Sequence, residues 1–218
     1  MRRKPHQGFT LIELLIVIAI IAILASVAYP VFTGILEKAH VTQDMNNLRQ
    51  IGLATQTYLN DNDGAYFLPS DNWMKKLRPD TGTQYLQNWK IFQSPFDKRA
   101  SSEDPNNAPV SYGFDANAKS NSASLLSDKI TNTSVFILFA PAQGATSSVT
   151  FTGTAATAVT VDKTGGGSQG TALGGTHTGR RRIDACMADL HVENMLWSLF
   201  INNSNSSSDP SAAQRWNP

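Results

Sequence analysis

One stretch of the sequence, from Leu11 to Phe32, limits the possible folds more than any other. The run from Leu14 to Ala25 has no polar side chain, and the residues up to Phe32 extend it. A helix rises about 1.5 Å per residue and the hydrocarbon core of a bilayer is about 30 Å thick, so this stretch is long enough to cross a membrane. Glu13 is its one charged residue. Because an unpaired carboxylate in lipid costs several kcal/mol, the sequence predicts a positively charged partner for Glu13.

Two simpler interpretations of this segment stay open. The basic residues Arg2 to Lys4 in front of an apolar run could form an ordinary secretory signal peptide. The run is long for a signal peptide, however, and Ala22 and Ala25 lie inside it instead of forming a cleavage site after it. A plain signal-anchor helix explains the length and the basic flank, but it does not explain Glu13.

The residues from Gly8 to Glu13, Gly-Phe-Thr-Leu-Ile-Glu, followed by the apolar run, resemble the class III signal of type IV pilins and type II secretion pseudopilins. The resemblance implies cleavage between Gly8 and Phe9 by a prepilin peptidase, and N-methylation of Phe9. It also implies that Glu13 faces the mature amino terminus of a neighbouring subunit during assembly. Such a pairing in a medium of low dielectric constant neutralises the carboxylate and fixes the register of the two subunits.

The chain divides into five predicted parts. Residues 1–8 form a cleaved leader, 9–32 a transmembrane and assembly helix, and 33–62 its amphipathic continuation. Residues 63–201 form a globular head, and 202–218 a Ser/Asn-rich disordered tail. The expected fold is α+β, with a long N-terminal spine helix packed on an antiparallel β-sheet as in pilins. The basic leader stays cytoplasmic by the positive-inside rule, which predicts a single pass through the inner membrane with the head in the periplasm.

Residues 9–60 are predicted to form one long helix. Beyond the membrane run, apolar residues recur at steps of three and four, which predicts a face that packs against the head. Pro30 lacks an N–H group and crowds the carbonyl of Ser26, so a kink is expected at Pro30. Whether that kink is static or melts in a fibre stays open. The polar face of the second half is predicted to carry Glu37, Lys38, Gln43, Asp44, Asn47, Arg49 and Gln50.

The strand signals lie in the second half of the chain. The apolar run Val135 to Ala140 is predicted to be a central strand that ends at Pro141. A closing hairpin is expected from Ile183 to Trp197, with its turn at Asp189-Leu190. It resembles a C-terminal His-x(n)-Asp-Gly element found in a subgroup of pilins, with Leu190 in the place of Gly. Because Leu resists positive φ, either the turn is of another type or the motif is degenerate.

Several residues are candidates for metal binding or catalysis. Asp61 and Asp63 could hold Ca²⁺, but the EF-hand spacing is incomplete and a helix-ending turn is favoured. No nucleophile elbow or zinc signature accompanies the remaining candidates, so a structural role, no cofactor and no enzymatic activity are expected. These candidates are His177, Asp189, His191 and Glu193.

The turn Ser94-Pro95-Phe96-Asp97 resembles a Cys-Pro-x-Asp turn of the family, with Ser94 in the place of Cys. Cys186 is the one cysteine of the chain, which excludes an intrachain disulfide. A net charge of +1 gives no global case for nucleic-acid binding. The basic run Arg180, Arg181 and Arg182 is expected to be a solvated edge, with a DNA or subunit contact as the alternative.

The resemblance implies a structural function. The chain is expected to be processed at the inner membrane and to polymerise into a type IV pilus or a type II secretion pseudopilus. The expected partners are the prepilin peptidase, other pilin or pseudopilin subunits, lipid of the inner membrane and an assembly platform. The cytoplasmic ATPase must be a separate protein, because the sequence has no nucleotide-binding motif. The alternative is a minor pilin whose head binds DNA or a surface.

Overall fold

The first element is a single helix, α1, which runs from Leu11 to Asp61. It is seen in a computed structural model that describes residues 9–68, 72–97, 110–115, 117–120, 123–144, 150–151, 174–202, 209–216 and 218. The helix assignment continues through Pro30, and the predicted kink there stays a prediction. At its end, Asp63 takes a φ of 52° and the Gly64 N–H donates to the Leu59 carbonyl over 2.8 Å. This bond from beyond a left-handed residue is a common way to end a helix.

The chain divides into two compact units, Met1–Ala39 and His40–Pro218. The division lies within the stretch predicted to be the amphipathic continuation of the helix. Residues 44–59 of α1 belong to the second unit and form one face of its core, whereas the apolar side chains described in the first unit are exposed.

The second unit combines short helices with a sheet. Helix α2 spans Trp73–Leu77 and helix α3 spans Trp197–Phe200, with single 3₁₀ turns at Trp89–Phe92, Ser127–Lys129 and Ala213–Arg215. The strands are β1 Val110–Asp115, β2 Lys119–Ser120, β3 Ala123–Ser124, β4 Ile137–Gly144, β5 Thr150–Phe151, β6 Arg182–Met187 and β7 Val192–Leu196.

Five of these strands form the main sheet, in the order β5-β1-β4-β6-β7. The pairs β1–β4, β4–β6 and β6–β7 are antiparallel, whereas the short β5 pairs parallel with β1. Strands β2 and β3 form a separate two-stranded ladder. The predicted α+β fold, a long apolar N-terminal helix followed by an antiparallel sheet, is confirmed.

Strand β4 differs from its prediction in one respect. It does not end at Pro141 but continues to Gly144, and Pro141 pairs with Tyr112 of β1. The β1–β4 register shifts between Val110 and Tyr112, beside this proline. A register irregularity accommodates a residue that has no N–H group to donate to the ladder.

The core of the second unit joins the buried face of α1 to the aromatic residues of the loop-rich segment. Trp73 packs at 5.1 Å, centroid to centroid, from Phe139 of β4 and at 5.5 Å from Phe92. The sequence predicts that scattered aromatic and aliphatic residues between Trp73 and Phe92 form core, with a solvent-facing aromatic platform as the alternative. The core prediction is confirmed, because these residues are buried in the core or packed against it. They are Trp73, Leu77, Tyr85, Leu86, Trp89, Ile91 and Phe92.

The β6–β7 hairpin is closed by a three-residue loop, Ala188 to Leu190. The Leu190 N–H donates to the Met187 carbonyl over 3.0 Å, and the Met187 N–H donates to the His191 carbonyl over 2.9 Å. Leu190 has a φ of 73°, the left-handed conformation that Gly commonly supplies in three-residue hairpin loops. The turn is therefore of another type than a two-residue hairpin turn, and the degeneracy of the motif stays a prediction.

The prediction of a disordered tail is wrong for residues 209–216. Trp216 is buried and contacts Phe200 edge to face at 5.1 Å. The Arg215 guanidinium forms a buried ion pair with Asp209, and its Nη1 donates to the carboxylate over 2.9 Å. Trp216 and the Arg215–Asp209 ion pair together hold this segment on the core. The polar composition of the tail did not indicate these two contacts. Residues 203–208 lie outside the described part of the chain.

Replacing Trp216 by Ala is expected to lower the free energy of unfolding by about 3–5 kcal/mol, because it removes a fully buried aromatic side chain. The measurement is urea unfolding of the chain in detergent micelles, followed by tryptophan fluorescence. Gln214→Ala is the matched control, since Gln214 is exposed in the same segment and its truncation should change stability by less than about 0.5 kcal/mol. Equal stability of the two variants would contradict a packed tail.

Candidate functional site

The amino end of α1 is closed by a reciprocal pair of hydrogen bonds between Thr10 and Glu13. The Thr10 N–H donates to Glu13 Oε2 over 2.8 Å, and the Glu13 N–H donates to Thr10 Oγ1 over 3.3 Å. The Thr10 hydroxyl also donates to the same carboxylate oxygen over 2.8 Å. This arrangement is a capping box, which satisfies N–H groups that have no acceptor within the helix. Glu13 therefore has a structural partner in its own chain.

The side chains that follow this cap are apolar and exposed. Leu14 is 56% exposed, Ile21 58% and Ile23 66%. By length and composition, α1 qualifies as a helix that could cross a membrane. Such a continuous apolar surface is stable only when lipid or protein covers it.

The comparisons with known proteins agree with this geometry. Residues 3–29 match the family model described as the prokaryotic N-terminal methylation motif. The amino terminus of the chain therefore carries this methylation motif. The resemblance predicted from residues 8–13 is confirmed, whereas the resemblance of the C-terminal hairpin to a subgroup of pilins stays a prediction.

Several curated pilin-family proteins are similar to this chain. It is 42% identical over 63 residues to a type IV major fimbrial protein, FimA, of Dichelobacter nodosus, which covers 29% of this chain and 39% of that protein. It is 32% identical over 89 residues to the type II secretion system core protein G of Pseudomonas aeruginosa, 41% of this chain and 62% of that protein. The type IV major pilin PilA of Myxococcus xanthus is 38% identical over 58 residues, 27% of this chain and 26% of PilA.

The similarity covers only part of each protein. The chain spans less than two thirds of the length of these relatives. No solved structure shows a significant match to it. The comparisons therefore establish the similarity of the amino-terminal segment, whereas the function of the head depends on its own residues.

The other residues predicted to take part in processing or metal binding lie as follows. Gly8 is outside the described residues, and Phe9 precedes the capping box. Asp61 accepts a hydrogen bond from the Tyr85 hydroxyl over 3.0 Å, while Asp63 forms the left-handed end of α1. Among the described residues, no group of three or more His, Cys, Asp or Glu side chains could hold a metal ion.

The basic run is less available to a partner than the sequence indicated. Arg182 Nη2 donates to the backbone carbonyl of Asn194 over 2.6 Å, and its Nε donates to the Asn194 side chain. Arg180 is half-buried in a left-handed turn that also contains Thr178 and Gly179, and Arg181 is exposed. Only part of the predicted basic edge therefore faces solvent, and contact with DNA or a subunit stays a prediction.

The two histidines considered as catalytic residues have different surroundings. His191 Nδ1 lies 2.5 Å from Asp189 Oδ1 at the tip of the hairpin, and both side chains are partly exposed. His177 is buried, with its Nε2 at 2.6 Å from Asn194 Nδ2 and its ring stacked on Phe96 at 5.4 Å. The Thr176 hydroxyl lies 2.7 Å from His177 Nδ1. The other ring nitrogen of His177 faces an amide and not an orienting carboxylate, so these contacts have the form of structural hydrogen bonds.

The most unusual group in the head is Asp44, which lies fully buried on the inner face of α1. The Ser94 hydroxyl donates to Asp44 Oδ1 over 2.5 Å, and the Tyr112 hydroxyl donates to the same oxygen over 2.7 Å. Asn47, one turn further along α1, donates to the Tyr112 oxygen over 3.2 Å. The predicted polar face is therefore wrong for Asp44 and Asn47, because partners from distant segments allow these polar groups to be buried.

A second buried carboxyl, Asp184 of β6, faces Asp44. Its Oδ1 accepts a hydrogen bond from Asn194 Nδ2 over 2.5 Å. The Oδ2 atoms of both aspartates are buried, and no group in the described part of the chain donates a hydrogen bond to either of them. Two interacting carboxyl groups cannot both be charged in a site of low dielectric constant, so one of them retains a proton.

Burial raises the pKa of both carboxyl groups. The pKa of Asp44 rises to about 6, against the opposing effect of the hydrogen bonds from Ser94 and Tyr112. The pKa of Asp184 rises to about 7, through burial and then the charge of Asp44, while the Asn194 hydrogen bond and Arg182 oppose the rise. Burial and the charge of Asp44 also raise the pKa of Tyr112 well above its usual value. The pair therefore retains a proton at a pH where isolated aspartates have lost theirs.

The sequence held one signal for this pair. Asp44, Leu48, Ile51 and Thr55 recur at helical steps of three or four, so Asp44 shares a face with buried apolar residues. No comparable pattern marks Asp184, because its partner Asp44 lies in α1, far from it in the sequence.

We expect the head to lose stability as the pH rises from about 4 to above 7. A carboxyl whose pKa is higher in the folded state than in the unfolded state stabilises the fold at low pH, and this stabilisation is lost as the pH passes the folded pKa. One proton retained over two to three pH units corresponds to about 3 kcal/mol. The measurement is the free energy of unfolding by urea across this pH range, in detergent micelles.

Asp44→Asn should flatten this dependence, because the amide can accept from Ser94 and Tyr112 while donating to Asp184. The variant should be more stable than the wild type above pH 7. Asp189→Asn is the control, since Asp189 is exposed, and it should keep the wild-type slope. An unchanged slope in Asp44→Asn would show that the two carboxyls do not share a proton.

Proposed function

We propose that this chain is a structural subunit that is processed at the inner membrane and polymerises into a type IV pilus or a type II secretion pseudopilus. The observation that carries the proposal is the sequence Gly8 to Glu13 directly before a helix whose apolar side chains are exposed. The relatives that share this segment are named as major pilins, as probable minor fimbrial proteins and as a secretion-system core protein.

The physical reason for polymerisation lies in the first half of α1. Lipid covers its apolar side chains before assembly, and the same side chains of neighbouring subunits cover them in a filament. In a filament surrounded by water, each Å² of apolar surface that neighbouring subunits cover stabilises the filament by about 25 cal/mol. The helix thus needs no covalent link to hold subunits together.

Glu13 takes a second role in this proposal. Cleavage after Gly8 creates a new positively charged amino group on Phe9, which is N-methylated in the mature subunit. The amino terminus of an incoming subunit pairs with the Glu13 carboxylate of its neighbour, which offsets the cost of placing either charge in an apolar medium. The capping box holds the carboxylate at the helix end, where such an amino group arrives.

The remaining partners follow from the proposed pathway. A prepilin peptidase cleaves the leader on the cytoplasmic side, and the mature chain waits in the inner membrane as a single-pass protein with its head in the periplasm. An assembly platform and a separate cytoplasmic ATPase extract it into the filament. In this role the chain has no catalytic function and needs no cofactor.

Gly8→Ala is expected to block maturation, because the proposed cleavage lies directly after Gly8 and the substitution adds a Cβ at the residue before the cleaved bond. The measurement is the mass of the chain recovered from membranes, with the mature form beginning at Phe9 and methylated. Thr33→Ala provides a control outside the processing signal and should be cleaved normally. A Gly8→Ala chain that matures at the wild-type rate would remove the basis of the proposal.

Glu13→Gln separates the two roles of the carboxylate. Gln also accepts hydrogen bonds in a capping box, so the helix cap is preserved while the charge is lost. We expect normal cleavage but at least about tenfold less chain in sheared filaments, since the amino terminus of the neighbour loses its counter-charge. Wild-type filament yield from Glu13→Gln, together with loss in Glu13→Ala, would assign Glu13 to capping and not to assembly.

A further inference from the structure

The main sheet ends at β7, whose outer side pairs with no strand in the part of the chain that the structure describes. Strand β6 pairs with the inner side of β7 from Val192 to Leu196. An edge strand presents a row of backbone N–H and carbonyl groups with which another strand can pair. The outer edge of β7 is therefore a surface on which a second polypeptide could add a strand.

The hydrogen bonds at the two ends of the β6–β7 hairpin show which backbone groups face outwards. The Met187 N–H donates to the His191 carbonyl over 2.9 Å, and the Trp197 N–H donates to the Arg181 carbonyl over 2.7 Å. The register between these ends is regular, and in an antiparallel pair the residues that exchange hydrogen bonds alternate with those that do not. The odd-numbered residues of β7 therefore bond to β6, and the even-numbered residues direct their N–H groups to the outside.

Arg182 occupies the middle of this outer edge. The outward-facing residues are Val192, Asn194 and Leu196, with Asn194 at the centre. Arg182 Nη2 donates to the Asn194 carbonyl over 2.6 Å, and Arg182 Nε donates to the Asn194 side chain. Because a charged donor forms a stronger hydrogen bond than a backbone N–H, a strand added here would have to compete with the guanidinium for this carbonyl.

A second copy of β7 fits this edge in an antiparallel arrangement centred on Asn194. In that register Val192 lies opposite Leu196, and Glu193 lies opposite Met195. The first pair is apolar, and Leu196 is 43% exposed in the single copy. Neither pair places like charges opposite each other, and all five residues of the strand take part. The side chains of β7 itself therefore favour its pairing with a second copy.

The same arrangement brings two cations together. Asn194 of one copy lies directly opposite Asn194 of the other, and each holds the Arg182 guanidinium of its own chain. Asp184, the acid that shares Asn194 with Arg182, is fully buried within its own copy. Like charges opposite each other on neighbouring strands destabilise the pair, and charged side chains on edge strands commonly prevent association.

We propose that the outer edge of β7 is a latent pairing site for β7 of a second copy, and that Arg182 keeps this site unoccupied. Arg182 does so in two ways, because it binds the central outward carbonyl and carries a charge that a paired strand would duplicate. The heads of neighbouring chains thus remain separate at high local concentration. This contact concerns the head alone and does not depend on the polymerisation of α1.

Arg182→Gln tests the role of the charge, since Gln is neutral but can still donate to the Asn194 carbonyl. The measurement is amide hydrogen exchange of the mature chain in detergent micelles, at high concentration and after dilution into protein-free micelles. The outward N–H groups of Val192 and Leu196 should exchange rapidly in the wild type. In Arg182→Gln they should be protected at least about tenfold at high concentration, and dilution should remove the protection.

Two further substitutions are matched controls for the charge. Arg181→Gln removes the same charge from the exposed neighbouring side chain, and it should keep the wild-type exchange at both concentrations. Arg182→Lys retains the charge and should also leave the outward N–H groups unprotected. The N–H groups of Glu193 and Met195, which bond to β6, are the internal standard and should stay protected in every variant.

Leu196→Pro tests whether the pairing uses the outer edge of β7. Leu196 has a φ of −68°, which the Pro ring adopts without strain. Its N–H faces outwards, so the substitution removes no bond to β6 but prevents pairing at the edge. Combined with Arg182→Gln, it should abolish the concentration-dependent protection of Val192.

Salt gives a test that leaves the chain unchanged. At about 1 M salt the Debye length falls to about 3 Å, so the repulsion between the two guanidinium groups is screened. The wild type should then show concentration-dependent protection of Val192 and Leu196, and Leu196→Pro should not show it at Val192. This result decides the question if Arg182→Gln proves to be unfolded, which rapid exchange at Glu193 and Met195 would reveal.

Three results would overturn the proposed role of this edge. Outward N–H groups that are protected in the dilute wild type would show that the edge is covered within one copy. Wild-type exchange in a folded Arg182→Gln would show that the charge does not keep the edge unpaired. Protection of Val192 that survives Leu196→Pro would place the contact elsewhere. None of these results bears on filament formation by α1, which the Gly8 and Glu13 variants test separately.

Discussion

The exclusion of water from the apolar first half of α1 is the interaction on which the rest of the molecule depends. A helix with Leu, Ile and Val side chains exposed on every side has no stable place in water, so it must move from one apolar environment to another. The capping box at the start of that helix supplies acceptors for the N–H groups of Thr10 and Glu13. Lipid and neighbouring copies are the two environments in which the proposed function places this helix.

The second half of the same helix contributes a buried carboxyl group, Asp44, to the core of the head. The hydroxyl groups of Ser94 and of Tyr112 in β1 donate hydrogen bonds to this carboxyl group. Well-packed apolar residues at such positions often give equal or greater stability. The polar cluster instead favours one register between helix and sheet, since a shift by one residue would leave several buried groups without partners. The register of β7 is specified in the same way, because Asn194 forms hydrogen bonds with His177, Arg182 and Asp184.

The sequence predicted those parts of the structure that depend on contiguous residues. The processing signal, the long helix, the buried aromatic residues and the hairpin from Ile183 to Trp197 all leave local patterns of composition and spacing. The inward orientation of Asp44 depends instead on Ser94 and Tyr112, which are 50 and 68 positions away. A periodic pattern of polarity cannot reveal such partners, so the polar residue was placed on the wrong face.

Two further differences have similar causes. Pro141 was expected to end β4, but a register irregularity in the neighbouring strand accommodates it within the sheet. The polar composition of the last segment favours disorder, whereas the buried Trp216 and the Arg215–Asp209 ion pair hold residues 209–216 against the core.

The position of Trp216 in the chain has a consequence for biosynthesis. Asn117 bonds to the Trp216 carbonyl across 99 positions of sequence, so the core closes only after nearly every other element has been made. Contacts of such long range form slowly, and incompletely folded intermediates expose apolar surface meanwhile. Ribosomes make α1 first, so a nascent polypeptide could be tethered to the bilayer while the far side of its core is still missing. Proteases that act before the core has closed would degrade polypeptides that end before Trp216. They would leave intact the polypeptides whose core has closed around Trp216.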